Sequence, residues 1–196
     1  MYPAMELRLP TWISDLVETR GTVFPTLASR MAFVIELARK NIDHGGGPFG
    51  AAVFESESGK LVAPGVNLVL PLQSSLAHAE AVAIALAQRV CETYDLSSPG
   101  LPPMELVTSA QPCIQCYGIL WWSGLQRLVI GARKEDVEQI TGFMEGPLPS
   151  DWIQHLAVRP PLPPVTVIRD VLREEACAVL QQYRQMDRPI YHPSSA

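Results

Sequence analysis

Between Thr26 and Asp43 the apolar residues Met31, Val34, Ile35, Ala38 and Ile42 recur at three- and four-residue steps. That is the spacing of a helix with one buried face, and the glycines of "HGGGPFG" end it. The stretch "FGAAVFESESGKLVAPGVN" then sets two short apolar runs around a Glu-Ser-Gly-Lys turn, the pattern of a β-hairpin. Residues 77 to 92, "AHAEAVAIALAQRVCE", are dense in strong helix formers. "MELVTSA" reads as a strand held between prolines, "CIQCYGILWWSG" as a short helix closed by Gly124, and "LQRLVIGA" as a further strand.

Beyond Gly142 the character changes. "GPLPSDW" and "VRPPLPPV" are proline-rich connections, and "VIRDVLREEACAVLQQYRQM" reads as the end of a strand running into a last helix. No internal repeat is visible. Helix, hairpin, then alternating helix and strand predict an α/β fold: a three-layer α/β/α sandwich, its mixed central sheet flanked by helices, with a Pro-rich C-terminal extension ending in a helix.

Composition narrows the function classes. The chain has 196 residues, 47% of them hydrophobic, enough for one domain with a full core. Its formal net charge is -5 and its basic residues are scattered, so no basic stripe is available to follow a phosphate backbone; a nucleic-acid partner is not expected. No apolar run reaches membrane-spanning length, and the start "MYPAMELRLPTW" lacks the basic head and apolar stretch of a signal peptide. A cytoplasmic location without membrane attachment is the expectation, and there a close cysteine pair more often binds metal or takes part in catalysis than forms a disulfide.

Such a pair occurs in "SAQPCIQCYG", where Cys113 and Cys116 stand three positions apart behind Pro112. Pro112 fits the start of a helix, so both thiols fall in its first turn, on one face, where the free N–H groups and the helix dipole favour thiolate. Two thiolates at this spacing supply half of a tetrahedral zinc site; a redox pair or a disulfide is the competing reading. A third ligand discriminates, and His78, at the start of its own helix in "AHAEA", is the candidate. One histidine and two cysteines leave the fourth zinc position to water or hydroxide, which makes the site catalytic rather than structural. Glu80, two residues after His78, is then placed to carry a proton. Cys91 and Cys177 read as buried sulfur in helices.

The pairing of His-x-Glu with Pro-Cys-x-x-Cys is the signature of zinc nucleobase deaminases. "HAEAVAI" with "TSAQPCIQC" resembles the cytidine-deaminase-like superfamily, and "GGGPFGAAVF" with "YGILWWSG" is similar to its guanine deaminase branch. The resemblance runs from about residue 25 to residue 145. It divides the chain into an N-terminal helical segment (1–24), a zinc deaminase core (25–145) and the C-terminal extension (146–196), packed on the same domain or on a partner subunit.

Residue by residue, the resemblance implies one Zn2+ per chain on His78, Cys113 and Cys116, with Glu80 as proton shuttle. It implies Asn67 on the purine edge, Phe49 and Trp122 around the base, Ala79 as a further substrate contact, and Glu145 of "TGFMEG" over the substrate, reading an N–H of the base and aiding the departing amine. Two departures stand out. The family usually shows Ser-Cys-Glu-Pro-Cys where this chain has Ser109-Ala110-Gln111-Pro112-Cys113, and Met144 precedes Glu145. Neither touches a zinc ligand, so they bear on substrate choice.

The expected reaction is hydrolytic deamination of a free nucleobase, guanine to xanthine and ammonia. The alternatives are deamination of an aminotriazine, of cytosine or of tRNA adenosine, and, from a different class, an inactive zinc-stabilised binding module. A small-molecule substrate and a homodimer complete the expectation, with the C-terminal extension closing either its own chain's site or, exchanged between subunits, its neighbour's.

Overall fold

The structure is a computed structural model and describes residues 6–191. Its elements follow in the order α1 (Thr11–Arg20), α2 (Leu27–Asp43), β1 (Gly50–Glu55), β2 (Leu61–Val66), α3 (Val69–Leu72), α4 (Ala79–Val90), β3 (Met104–Ala110), α5 (Ile114–Trp122), β4 (Arg127–Ala132), α6 (Lys134–Thr141), α7 (Trp152–Ala157), β5 (Thr166–Ile168) and α8 (Arg173–Gln185). The strands form one sheet in the order β2-β1-β3-β4-β5. β1 runs antiparallel to both neighbours, whereas β3, β4 and β5 are parallel. Pro64, which cannot donate to a ladder, lies on the edge strand β2, where that costs least.

Side chains alternate between the two sheet faces along each strand, and each face meets its own helix layer. Ala52, Phe54, Val107 and Val129 pack under α2 and α8 with Met31, Val34, Val179, Leu180 and Tyr183. Ala51, Val53, Leu106, Leu128 and Ile130 pack under α4, α5 and α7 with Ala83, Ile84, Leu120, Trp152 and Leu156. Burying each of the larger side chains contributes about 1.5–3 kcal/mol, so the two covered faces carry the fold. The mixed three-layer α/β/α architecture is therefore the one expected.

Local chemistry sets the helix starts. Thr26 Oγ1 accepts the Ser29 N–H at 3.0 Å while the Ser29 hydroxyl accepts the Thr26 N–H at 3.1 Å, a reciprocal cap that opens α2. α4 is alanine-rich and lies directly on β2: a Cβ at Gly65 would stand 2.3 Å from the carbonyl oxygen of Ala79. Beneath α2, the fully buried Glu105 of β3 is bound by Arg30 and Arg127, both of which also donate to the Ser56 carbonyl at 2.9 Å.

The C-terminal extension supplies β5 and α8. Arg133 grips Asp170 through two hydrogen bonds of 2.7 Å, and Arg173 grips Asp136 through bonds of 2.7 and 2.6 Å, fastening the start of α8 to α6 and its cap. Three short helices, α3, α6 and α7, were not expected. The eight residues of α6 bury only Val137 and Thr141, too few for a periodic signal. Among the described residues no helix is long and apolar enough to cross a membrane.

Candidate active site

Strand register brings the functional stretches to one end of the sheet. Gly50 pairs with Val66, and Ala51 with Thr108, so the residues flanking those pairs, Phe49, Asn67 and Ala110 to Cys113, emerge side by side. Cys113 is the N-cap of α5 and Cys116 lies in its first turn; His78 is the N-cap of α4 and Glu80 its second residue. Pro112 thus lies just before the cap, at the helix start as expected. The positive ends of two helix dipoles converge on the same point, which favours negative charge there.

His78 Nδ1 stands 3.4 Å from Cys113 Sγ and 3.6 Å from Cys116 Sγ, and the three candidate ligand atoms all lie within 4.8 Å of one another. Zinc bonds of about 2.0–2.1 Å to nitrogen and about 2.3 Å to sulfur, opened to the tetrahedral angle, separate N and S by about 3.6 Å. The side chains are therefore spaced for one zinc ion bound through Nδ1 and both sulfurs. Glu80 Oε2 is 3.4 Å from Cys116 Sγ, close beside the group without belonging to it.

The electrostatics are those of several acidic groups crowded, largely out of water, around one thiolate. Cys113 is held down at about 4, first by its hydrogen bond with Cys116, against burial, and further by His78; the same hydrogen bond and burial push the Cys116 thiol well up. Burial pulls His78 down, but Cys113, Glu80 and Glu145 together carry it above its usual value. Glu80 is raised by burial and by the Cys113 thiolate. Glu145 is pushed up to about 8 by burial and by the charges of Cys113 and Glu80. A cation on the two sulfurs would offset the thiolate share of both carboxyl shifts.

These groups open onto a cavity of about 240 Å³. Phe49, Asn67, Phe143 and Tyr191 line it together with Ala110, Gln111, Ile114, Gln115 and Met144 to Gly146. The cavity is concave, largely apolar and furnished with a few converging polar groups, the usual form of a small-molecule site.

The zinc-binding region of cytidine and deoxycytidylate deaminases matches residues 26–132, which hold His78, Glu80, Cys113 and Cys116. The chain belongs to this deaminase family. A guanine deaminase from Nitrosomonas europaea has the same fold with a TM-score of 0.87 and 45% identity, over 94% of this chain and 98% of that one. A second solved structure, in complex with 2,6-diaminopurine, gives a TM-score of 0.87 and 46% identity over 96% and 97%. The guanine deaminase of Bacillus subtilis is 33% identical over 110 residues, 56% of this chain; the match spans 65% of that relative's length.

Two of the expected deaminase substrate contacts do not reach the cavity. Trp122, at the far end of α5, is 73% exposed and points to solvent, because eight residues of helix carry it away from the Cys113 end. Ala79 is fully buried in the core between α4 and the sheet and does not line the cavity. Conversely, Gln111 and Tyr191 line it without having been foreseen as contacts. Tyr191 is brought there by the Tyr183 hydroxyl, which donates to the Pro189 carbonyl at 2.7 Å, and by the aromatic contact with Phe143 at 4.7 Å between ring centroids. A Cβ at Gly47 would stand 1.9 Å from the Tyr191 hydroxyl, so the last glycine of the run clears its slot. The sequence signal was slight: one aromatic residue in an otherwise polar, proline-bearing tail.

Proposed function

We propose that the protein is a zinc-dependent guanine deaminase that converts guanine and water to xanthine and ammonia. One observation carries the reading: a His-Cys-Cys group of zinc dimensions and a buried glutamate share a small cavity with an amide, Asn67, and a second, half-buried carboxyl, Glu145. The likeness to guanine deaminases along nearly the whole chain supports the same reaction. The metal, on His78, Cys113 and Cys116, supplies Lewis-acid activation of the attacking water.

The remaining steps belong to the protein. Glu80, buried beside the Cys116 sulfur, accepts a proton from the water as its oxygen bonds to C2 of the ring, and delivers that proton to N3. The C2–amine bond then breaks, the amine taking a proton relayed from the new C2 hydroxyl, so that ammonia leaves and the C2 carbonyl forms. Asn67 orients the purine edge, and Glu145 accepts from a ring or amine N–H and steadies the departing group. Phe49 and Phe143, in edge contact at 5.4 Å, offer apolar surface to the ring. A site that hydrogen-bonds its substrate in this way rejects analogues lacking those groups by large factors.

The test is ammonia release by the zinc-loaded protein on guanine, adenine, cytosine and adenosine. Rapid turnover of guanine with xanthine formed is the expected result; turnover of another base with silence on guanine would overturn the substrate assignment.

A further inference from the structure

Glu145 lies on a short loop between Gly142 and Gly146, both in the left-handed region, with φ of 85° and 77°. Nothing in that loop's own sequence fixes where its carboxyl points. Neighbouring elements do so through three contacts. The Ile114 N–H, at the first turn of the zinc-site helix α5, donates to the Glu145 carbonyl at 3.0 Å. The Glu145 N–H donates to Glu138 Oε1 at 3.3 Å, and Lys134 Nζ donates to the Gly146 carbonyl at 2.7 Å. Lys134 and Glu138 sit one turn apart on α6 and also face each other at 3.6 Å, so each steadies the other's hold. The loop approaches α5 so closely that a Cβ at Gly146 would meet Ile114 Cγ2 at 2.6 Å.

We infer that Lys134 and Glu138 are positioning residues of the active site, a two-point clamp on α6 that holds the backbone on either side of Glu145 so that its carboxyl faces the zinc-site residues and the substrate. The inference rests on the role proposed above for Glu145. Neither side chain lines the cavity, and neither touches the base; each acts through the loop. The arrangement links three parts of the site mechanically: α6 fixes the loop, the loop carbonyl engages α5, and α5 begins at Cys113. Because both side chains are partly exposed, at 24% for Lys134 and 36% for Glu138, they can be changed without opening the core.

The experiment compares the zinc-loaded wild type with Lys134→Met, Glu138→Ala and Glu138→Gln, reading kcat and KM on guanine, zinc per chain, and the exchange rate of the Glu145 amide proton by NMR. Lys134→Met and Glu138→Ala are expected to lower kcat about tenfold with KM held within about twofold, since a small misplacement of a group acting in the transition state reduces kcat. Zinc stays at one per chain and the Glu145 amide exchanges faster. Glu138→Gln keeps an acceptor oxygen and restores most of kcat, as a merely structural loss would not allow. Unchanged amide exchange in Lys134→Met and Glu138→Ala overturns the clamp, as does faster exchange with unaltered kcat. If the wild type is silent on guanine, the substrate reading fails by itself, and the exchange rates still decide the clamp.

Discussion

Glu80 Oε2 and Cys116 Sγ stand 3.4 Å apart, although they belong to different helices and meet through the first turn of each. Burial keeps the Glu80 carboxyl raised, which suits a group that must both take and give a proton, while its absence from the ligand set frees it to do so. Glu80→Gln should therefore bind one zinc per chain and lose 10²–10⁴-fold in kcat, the usual worth of general acid–base catalysis. Metal analysis with ammonia-release kinetics checks both halves; more than about a tenth of wild-type kcat would end the assignment.

Metal removal should abolish activity and leave the fold standing. Two apolar layers cover the sheet without help from the metal, so the chelated protein should keep its far-UV circular dichroism while its Tm drops, and zinc should restore turnover. Cys113→Ser should lose most of its zinc. Cys91→Ser and Cys177→Ser should retain one ion per chain, because neither thiol belongs to the ligand group. Zinc loss from either variant would contradict the three-ligand site.

The zinc ligands and Glu80 were legible because their spacing along the chain is itself the chemistry: cysteines three apart at a helix start, and His-x-Glu at another. The sheet order and its mixed character could be anticipated from the hairpin and the alternation that follows it. The cavity walls could not, because they depend on register and on how far a helix has turned. Trp122 and Ala79 match a motif yet face solvent and core, whereas Tyr191 arrives from a tail held by the Tyr183 hydroxyl and by ring contact with Phe143. Glu105 carries no local signal for the same reason, since its two arginine partners are 75 and 22 positions away.

Tyr191 should contribute to binding more than to chemistry. Its hydroxyl is buried against the cavity and, among the described residues, has no hydrogen-bond partner. Tyr191→Phe removes that donor and leaves the ring against Phe143, so KM for guanine should rise by up to about tenfold, one hydrogen bond's worth, with kcat changed less than about twofold. An unaltered KM would remove Tyr191 from the list of substrate contacts.

The buried Glu105 cluster belongs to stability alone. Removing its carboxylate leaves Arg30, almost wholly buried, with an unpaired charge, and breaking such a pair costs about 3–5 kcal/mol. Urea melts of Glu105→Ala should show a loss of that order, while kcat per folded molecule at low temperature stays near wild type. A loss below about 1 kcal/mol would mean that water reaches the two arginines.

The Asp136–Arg173 pair should give the tail a pH-dependent grip. The Asp136 carboxyl is lowered first by its hydrogen bonds from Arg173, against partial burial, then by the Arg133 N–H at 2.8 Å, with Cys177 adding slightly. A carboxyl lowered on folding stabilises the native state fully above its unfolded value of about 3.9, and that stabilisation fades as pH falls through the lower folded value. Because Arg173 is 38% exposed, solvent screening keeps the contribution small. Asp136→Asn should thus melt a few degrees below wild type at pH 7 and at pH 5 alike, and the gap should narrow towards pH 3. A gap that stays constant or widens in acid would show that the asparagine disturbs the α6 cap rather than the ion pair, and the fastening of α8 to α6 would then have to rest on Arg133 and Asp170.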